Sequence, residues 1–420
     1  MNDTATTDRT TIDWNAAYAT RAARMGGSEI RELLKVLEQP GMLSFAGGIP
    51  DPALFPAAAA QEASTAILSD PKLGAQALQY SASEGYKPLR EWLVHHMGTL
   101  GVPCAVDNIV ITGGSQQGLD FLGKLLISAG DTMLVTAPTY LGALQAFNAY
   151  EPRYDRLDLA GNMTPAGYRE AAAPGRVAAA YAVPDFANPT GESITEASRL
   201  ALLDLAAGLD VPLIEDAAYS SLRFEGEAIP SCLALDVARS GGIERSRVIY
   251  CGTFSKTISP GLRVGWICAA SPLVQKVVLT KQAADLHSPT LSQMVIHRIA
   301  TAEYDQIVQR NITAYGARRD AMLNALQAHM PPGVSWTRPK GGMFVWVTLP
   351  DGMNGADILK LALAEEKIAF VPGGAFYADS NGQNTLRLAY SLQPEAVIEE
   401  GMRRLGRLLT REIAKKNGGR

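Results

Sequence analysis

The sequence predicts an α/β protein: a large domain built on a mostly parallel central sheet, joined to a smaller α+β domain. Three observations carry this. From Ile109 onward, short β-rich runs alternate with stretches of helical periodicity, the pattern of a parallel sheet wrapped by helices. The length of 420 residues exceeds one small domain and falls short of a multi-module assembly. Hydrophobic residues at 47% against 19% charged ones supply a sizeable core and place the chain far from disorder. The expected division gives residues 61–308 to the large domain, and residues 1–60 with 309–420 to the small domain and an N-terminal arm.

In chain order, Met1–Ala22 is polar and threonine-rich, without the apolar core of a signal peptide. No apolar run reaches the ~18 residues that read as a membrane span, so a cytoplasmic protein with no membrane contact is expected. Ser28–Glu38 reads as an amphipathic helix leading into Phe45-Ala46-Gly47-Gly48-Ile49-Pro50-Asp51-Pro52, whose glycines and prolines mark an irregular connection. Candidate strands follow at Ile109–Thr112, Met133–Thr136, Val177–Val183, Pro212–Glu215, Val248–Cys251 and Val264–Ala269. Between the first two, Leu119, Leu122 and Leu126 recur at helical spacing and Gly130-Asp131 ends the segment. After about Gln309 come a helix, a strand at Met343–Leu349, a helix at Ala356–Lys367, a strand at Thr385–Tyr390 and a last helix from Pro394.

The formal net charge of −4 leaves no basic excess to neutralise nucleic-acid phosphates or to hold an anionic membrane. Small-molecule partners are therefore favoured. Cys104, Cys232, Cys251 and Cys268 lie far apart, with no paired spacing and no histidine at metal-ligand distance in sequence, so neither a disulfide framework nor a metal site is indicated.

The chemistry starts at Thr253-Phe254-Ser255-Lys256, just after a strand and before Ser259-Pro260-Gly261-Leu262-Arg263. A lysine partly removed from water has a depressed pKa, and its neutral amine can condense with an aldehyde; alone, it also reads as a solvated loop lysine. Thr112-Gly113-Gly114-Ser115-Gln116-Gln117 sits between a strand and a helix, where backbone N–H groups and the Ser115 hydroxyl can face an anion or simply cap the helix. Ser255 and Arg263 can add donors and a permanent charge to the same anion. Ile214-Glu215-Asp216-Ala217-Ala218-Tyr219 ends a strand on carboxylates; one of these can hold a protonated pyridine nitrogen or cap a helix. Asn188 lies in Asn188-Pro189-Thr190-Gly191, which reads first as a turn. Arg387 projects from a late strand, where its fork can clasp a carboxylate or serve as a surface ion-pair partner.

Together, the order and spacing of these segments resemble the fold-type I pyridoxal-phosphate aminotransferases of class I/II, and within them the 2-aminoadipate and kynurenine/aminoadipate aminotransferases. The likeness runs from about Arg21 to about Leu409 and rests on Leu43–Pro56, Gln79–Arg90, Thr112–Gln117, Asn188–Gly191, Asp216–Tyr219, Thr253–Arg263 and Pro339–Trp346. The resemblance implies pyridoxal 5'-phosphate held as a Schiff base on Lys256, with Asp216 on the pyridine nitrogen and Asn188 and Tyr219 on the ring's 3-oxygen. It implies a stacking role for Tyr140 and a phosphate cup of Ser115, Gln116, Thr253, Ser255 and Arg263. Tyr80 matches a tyrosine that reaches a neighbouring subunit's cofactor phosphate, which implies a homodimer with shared sites. On the substrate side, Arg387 matches the α-carboxylate arginine, with Gly48 and Asn188 beside it, and Arg24 matches an arm arginine that meets a distal carboxylate. The implied reaction moves an amino group from an L-amino acid of 2-aminoadipate, leucine or aromatic type to 2-oxoglutarate, by a ping-pong mechanism.

Two alternatives are weighed. Proteins of this fold also decarboxylate amino acids or cleave their Cα–Cβ bonds; Arg387 and the full-length likeness favour transamination. A ligand-sensing transcription regulator with an aminotransferase-like domain requires a basic helix-turn-helix module, and only some 40 residues precede Gly47, too few for one.

Overall fold

A computed structural model describes residues 12–27 and 41–418; the helix expected at Ser28–Glu38 lies outside them. A short strand, β1 (Leu43–Ser44), precedes seven strands of a large sheet: β2 (Ile109–Thr112), β3 (Thr132–Val135), β4 (Arg153–Arg156), β5 (Val177–Ala182), β6 (Leu213–Asp216), β7 (Val248–Thr253) and β8 (Gly265–Cys268). They are followed by β9 (Ser335–Trp336), β10 (Phe344–Thr348), β11 (Ile368–Ala369), β12 (Val371–Pro372) and β13 (Thr385–Ala389).

The large sheet has the order β2-β8-β7-β6-β5-β3-β4. All its neighbours run parallel except β8, which is antiparallel to both β2 and β7. Six of the seven strands are buried throughout, because helices cover both faces, and this explains their unbroken apolar runs. The strand β4 was not expected: its Arg-Tyr-Asp-Arg sequence has no apolar run, because it lies at the sheet edge, paired only to β3. Helices at Ala57–Ser69, Pro71–Leu78 and Lys87–Thr99 fill a region for which the sequence reading assigned no element.

A second, antiparallel sheet has the order β12-β13-β10-β9, and β1 pairs in parallel with β11, tying the N-terminal segment to the C-terminal part. The helix Thr290–His329 is broken at Glu303, and the final helix Glu395–Gly418 packs against it. Among the described residues no helix is long and apolar enough to cross a membrane, no group of side chains is arranged to hold a metal ion, and the four cysteines are free.

Candidate active site

The strands β2, β5, β6 and β7 all end at one edge of the large sheet, the edge where open α/β sheets bind ligands. The predicted segments follow directly: Gly113–Gln117 after β2, Asn188 after β5, Asp216 at the end of β6 and Lys256 after β7. They line a cavity of about 820 Å³, joined by Arg387 from β13 and Gly48 from the N-terminal segment.

Asp216 is buried at the centre of this edge. On the adjacent strand, Tyr181 donates from its hydroxyl to Asp216 Oδ2 at 2.8 Å, while Oδ1 is buried with no partner. Burial raises the carboxyl to about 6, opposed chiefly by the Tyr181 hydrogen bond and also by the charge of Lys256. The Lys256 amine, 5.9 Å from the centre of the Tyr219 ring, is depressed to about 8 by burial and by the nearby charges of Arg387 and Arg263, with Asp216 opposing.

Arg387 is 1% exposed. One nitrogen donates to Asn188 Oδ1 at 2.7 Å and another to the Ala46 carbonyl at 2.5 Å, its Nε is orphaned, and it has no carboxylate partner among the described residues. Burial lowers its pKa to about 10. The guanidinium lies 4.4 Å from the centre of the Phe344 ring and 5.1 Å from that of Phe376. Gly48 takes a φ of +58°, and a side chain there would collide with the Phe344 ring, so a bare backbone lets the N-terminal segment approach Arg387.

Tyr140 and Gln116 form the opposite wall. The Tyr140 hydroxyl donates to Gln116 Oε1 at 3.3 Å, and Gln116 Nε2 donates to the Gly142 carbonyl at 2.6 Å. Burial, with the charge of Asp216, pushes the Tyr140 phenol up to about 12, and burial pushes the Tyr219 phenol up as well, so both are protonated donors at neutral pH. Ser115 opens the helix Ser115–Leu126 behind Gly114. Arg263 Nη2 donates to the Gly113 carbonyl at 2.8 Å, and the Thr253 and Ser255 hydroxyls are 2.9 Å apart. The backbone N–H groups of a helix start, two hydroxyls and one guanidinium therefore converge on one corner.

Two predicted residues lie elsewhere. Arg24 donates to the Pro152 carbonyl at 2.7 Å, and its neighbours Gly26 and Gly27 line the cavity in its place. Tyr80 is on the surface, edge-on to His287. Conversely, Tyr181 and Phe344 were missed as site residues. Tyr181 is the single polar side chain in the strand Val177–Ala182, a signal available in the sequence.

The groups present fit pyridoxal phosphate. The orphaned Asp216 Oδ1 matches a ring N–H, the corner at Ser115 matches a phosphate, and the amine of Lys256 lines the same cavity. The family model for aminotransferase class I and II matches residues 40–405. The chain is 42% identical to the 2-aminoadipate transaminase of Thermus thermophilus, over 95% of this chain and 98% of that protein. It is 40% identical to aromatic-amino-acid aminotransferase 1 of Thermococcus litoralis, over 96% and 97% of the two chains. The solved structure of the alpha-aminoadipate aminotransferase from Thermus thermophilus, complexed with N-(5'-phosphopyridoxyl)-L-leucine, superposes with a TM-score of 0.85 at 40% identity, covering 96% of this chain and 100% of that one. The chain therefore belongs to the class I and II aminotransferases, and it is an enzyme that uses pyridoxal 5'-phosphate.

Proposed function

We propose that Lys256 holds the cofactor and then carries the proton of a transamination in which an L-amino acid of 2-aminoadipate, leucine or aromatic type gives its amino group to 2-oxoglutarate. The observation that carries this is the placement of a depressed lysine amine in one cavity with a buried, half-satisfied carboxylate and a buried arginine that has no carboxylate partner among the described residues. The cofactor, when bound, supplies an electron sink that makes the Cα proton of an amino acid acidic. Asp216 Oδ1 would accept the ring N–H and so keep that nitrogen protonated. Asn188 and Tyr219 would hold the 3-oxygen, Tyr140 would stack on the ring, and Ser115, Gln116, Thr253, Ser255 and Arg263 would hold the phosphate. Arg387 binds the α-carboxylate beside Gly48 and Asn188, fixing the amino acid so that its Cα–H faces Lys256. Freed by the incoming substrate amine, the neutral Lys256 Nζ would take that proton and carry it for the rest of the transfer.

The substrate's side chain faces Ile49, Leu141, Gly26 and Gly27. With Arg24 turned to Pro152, this wall carries no charge and suits leucine or an aromatic; Arg24 turned inward suits the distal carboxylate of 2-aminoadipate. The relatives named for 2-aminoadipate and aromatic substrates support both. The regulator reading is not favoured, since the relatives near 40% identity carry enzyme names.

We also propose a cytoplasmic homodimer in which Tyr80 reaches the other subunit's phosphate, and the division into residues 61–308 and the two flanks. The pairing of β1 with β11 supports that division.

Lys256→Ala should abolish turnover and the absorbance of lysine-bound cofactor; normal turnover by this variant overturns the assignment. Half-reactions with a panel of amino acids then identify the donor from the change in cofactor absorbance. Arg24→Ala should lose on the order of tenfold in kcat/KM for 2-aminoadipate, with leucine nearly unaffected; equal losses contradict the role of Arg24.

A further inference from the structure

Behind the Gly113–Ser115 turn lies an ionic cluster with no part in the proton transfers. Lys281, in the helix Ser271–Ala284, is fully buried. Its ammonium donates to both oxygens of Asp285, at 3.0 and 2.9 Å, to Ser288 Oγ at 2.9 Å and to Gln117 Oε1 at 3.4 Å. Gln117 in turn donates from Nε2 to Asp285 Oδ2 at 2.7 Å, and its Oε1 accepts the Gly113 N–H at 2.7 Å. Two donors meet one end of the Gln117 amide and a carboxylate meets the other, so only one orientation of that amide satisfies every group. The Gly113 peptide is thereby held from both sides: Gln117 takes its N–H and Arg263 its carbonyl. The next residue, Gly114, has a φ of +84° and presents Ser115 to the cavity.

We propose that Lys281 is a positioning residue for cofactor retention: through Asp285 and Gln117 it locks the Gly113–Ser115 turn in the shape that receives the phosphate. This rests on the reading of that turn as the phosphate site. A buried lysine costs desolvation that a methionine of similar length avoids, and the cluster offsets that cost with hydrogen bonds that end on the turn.

The test compares two ligands that differ only in the phosphate. Full-length chain, stripped of cofactor by dialysis, is titrated with pyridoxal phosphate and with pyridoxal. Lys281→Met should weaken pyridoxal phosphate about tenfold and leave pyridoxal within about twofold. The carboxylate left behind, with its side chain 31% exposed, is reached by water, so the variant should fold. Gln117→Met, at a partly exposed position, should give the same phosphate-selective loss and carries the test if Lys281→Met does not fold. The double variant should lose no more than the larger single loss. Unchanged affinity for pyridoxal phosphate, or equal weakening of both ligands, overturns the proposal. Ser255→Ala separates the two layers: a phosphate-selective loss there without one in Lys281→Met defeats only the role of Lys281, whereas equal losses for both ligands in Ser255→Ala defeat the reading of the phosphate site itself.

Discussion

Asp216 shows how single contacts set the chemistry. Its carboxyl titrates near 6 because burial outweighs the Tyr181 hydrogen bond, and only the ionised form can hold a protonated ring nitrogen. Cofactor affinity should therefore fall as pH drops through about 6. Tyr181→Phe removes a bond that lowers this pKa, so the acid limb should move upward, with weaker binding at pH 7 that recovers in alkali. An affinity–pH curve that does not move in the variant contradicts the link. The convergence of Lys256, Asp216, Asn188 and Arg387 on one cavity follows from sequence positions at or just after strands, and each has a side chain suited to one part of the proposed reaction. Tyr181 was only partly legible: as the single polar side chain of its strand it stands out, but its partner becomes evident only when β5 and β6 are paired, with Tyr181 opposite Ile214. Arg24 illustrates the converse limit, because local sequence does not decide between the Pro152 carbonyl and a substrate as its partner.

At the scale of elements, β8 closely approaches the Gly113–Ser115 turn, the proposed phosphate site. A Cβ at Gly265, the first residue of β8, would lie 2.7 Å from both the Gly114 carbonyl carbon and the Ser115 nitrogen, backbone atoms that cannot rotate away. Gly265→Ala should cost about 1–3 kcal/mol of stability through overpacking and weaken pyridoxal phosphate together with it. Thermal melts and cofactor titration check this, and a variant with unaltered melting and affinity would show that the turn has slack. The direction of β8 was less legible than its existence. An apolar run says buried strand without saying which way it points, yet only 11 residues separate β7 from β8, fewer than a parallel crossover uses. The same segment carries Ser255, Lys256 and Arg263, so its brevity keeps all three at the cavity that Ser115 also lines. The strand β4 escaped notice because its charged side chains suit an edge and erase the apolar signal.

At the scale of the whole molecule, the surface around Tyr80 sets the last prediction. Leu78 is 76% exposed and Tyr80 78%, and Trp14, Tyr18 and Met25 of the N-terminal segment are also exposed. Large apolar side chains left in water favour a partner surface, and a homodimer would bring Tyr80 of each subunit towards the other's phosphate corner. A hybrid dimer discriminates between service within a subunit and service across the interface. One chain carries Tyr80→Ala, the other Lys256→Ala, and two different affinity tags isolate the mixed species. If Tyr80 acts across the interface, the one site that retains Lys256 receives an intact Tyr80 from the other chain, and the hybrid should show wild-type cofactor affinity with about half of wild-type activity. If Tyr80 serves its own subunit, the only lysine-bearing site lacks it, and the hybrid should bind cofactor as weakly as the Tyr80→Ala homodimer.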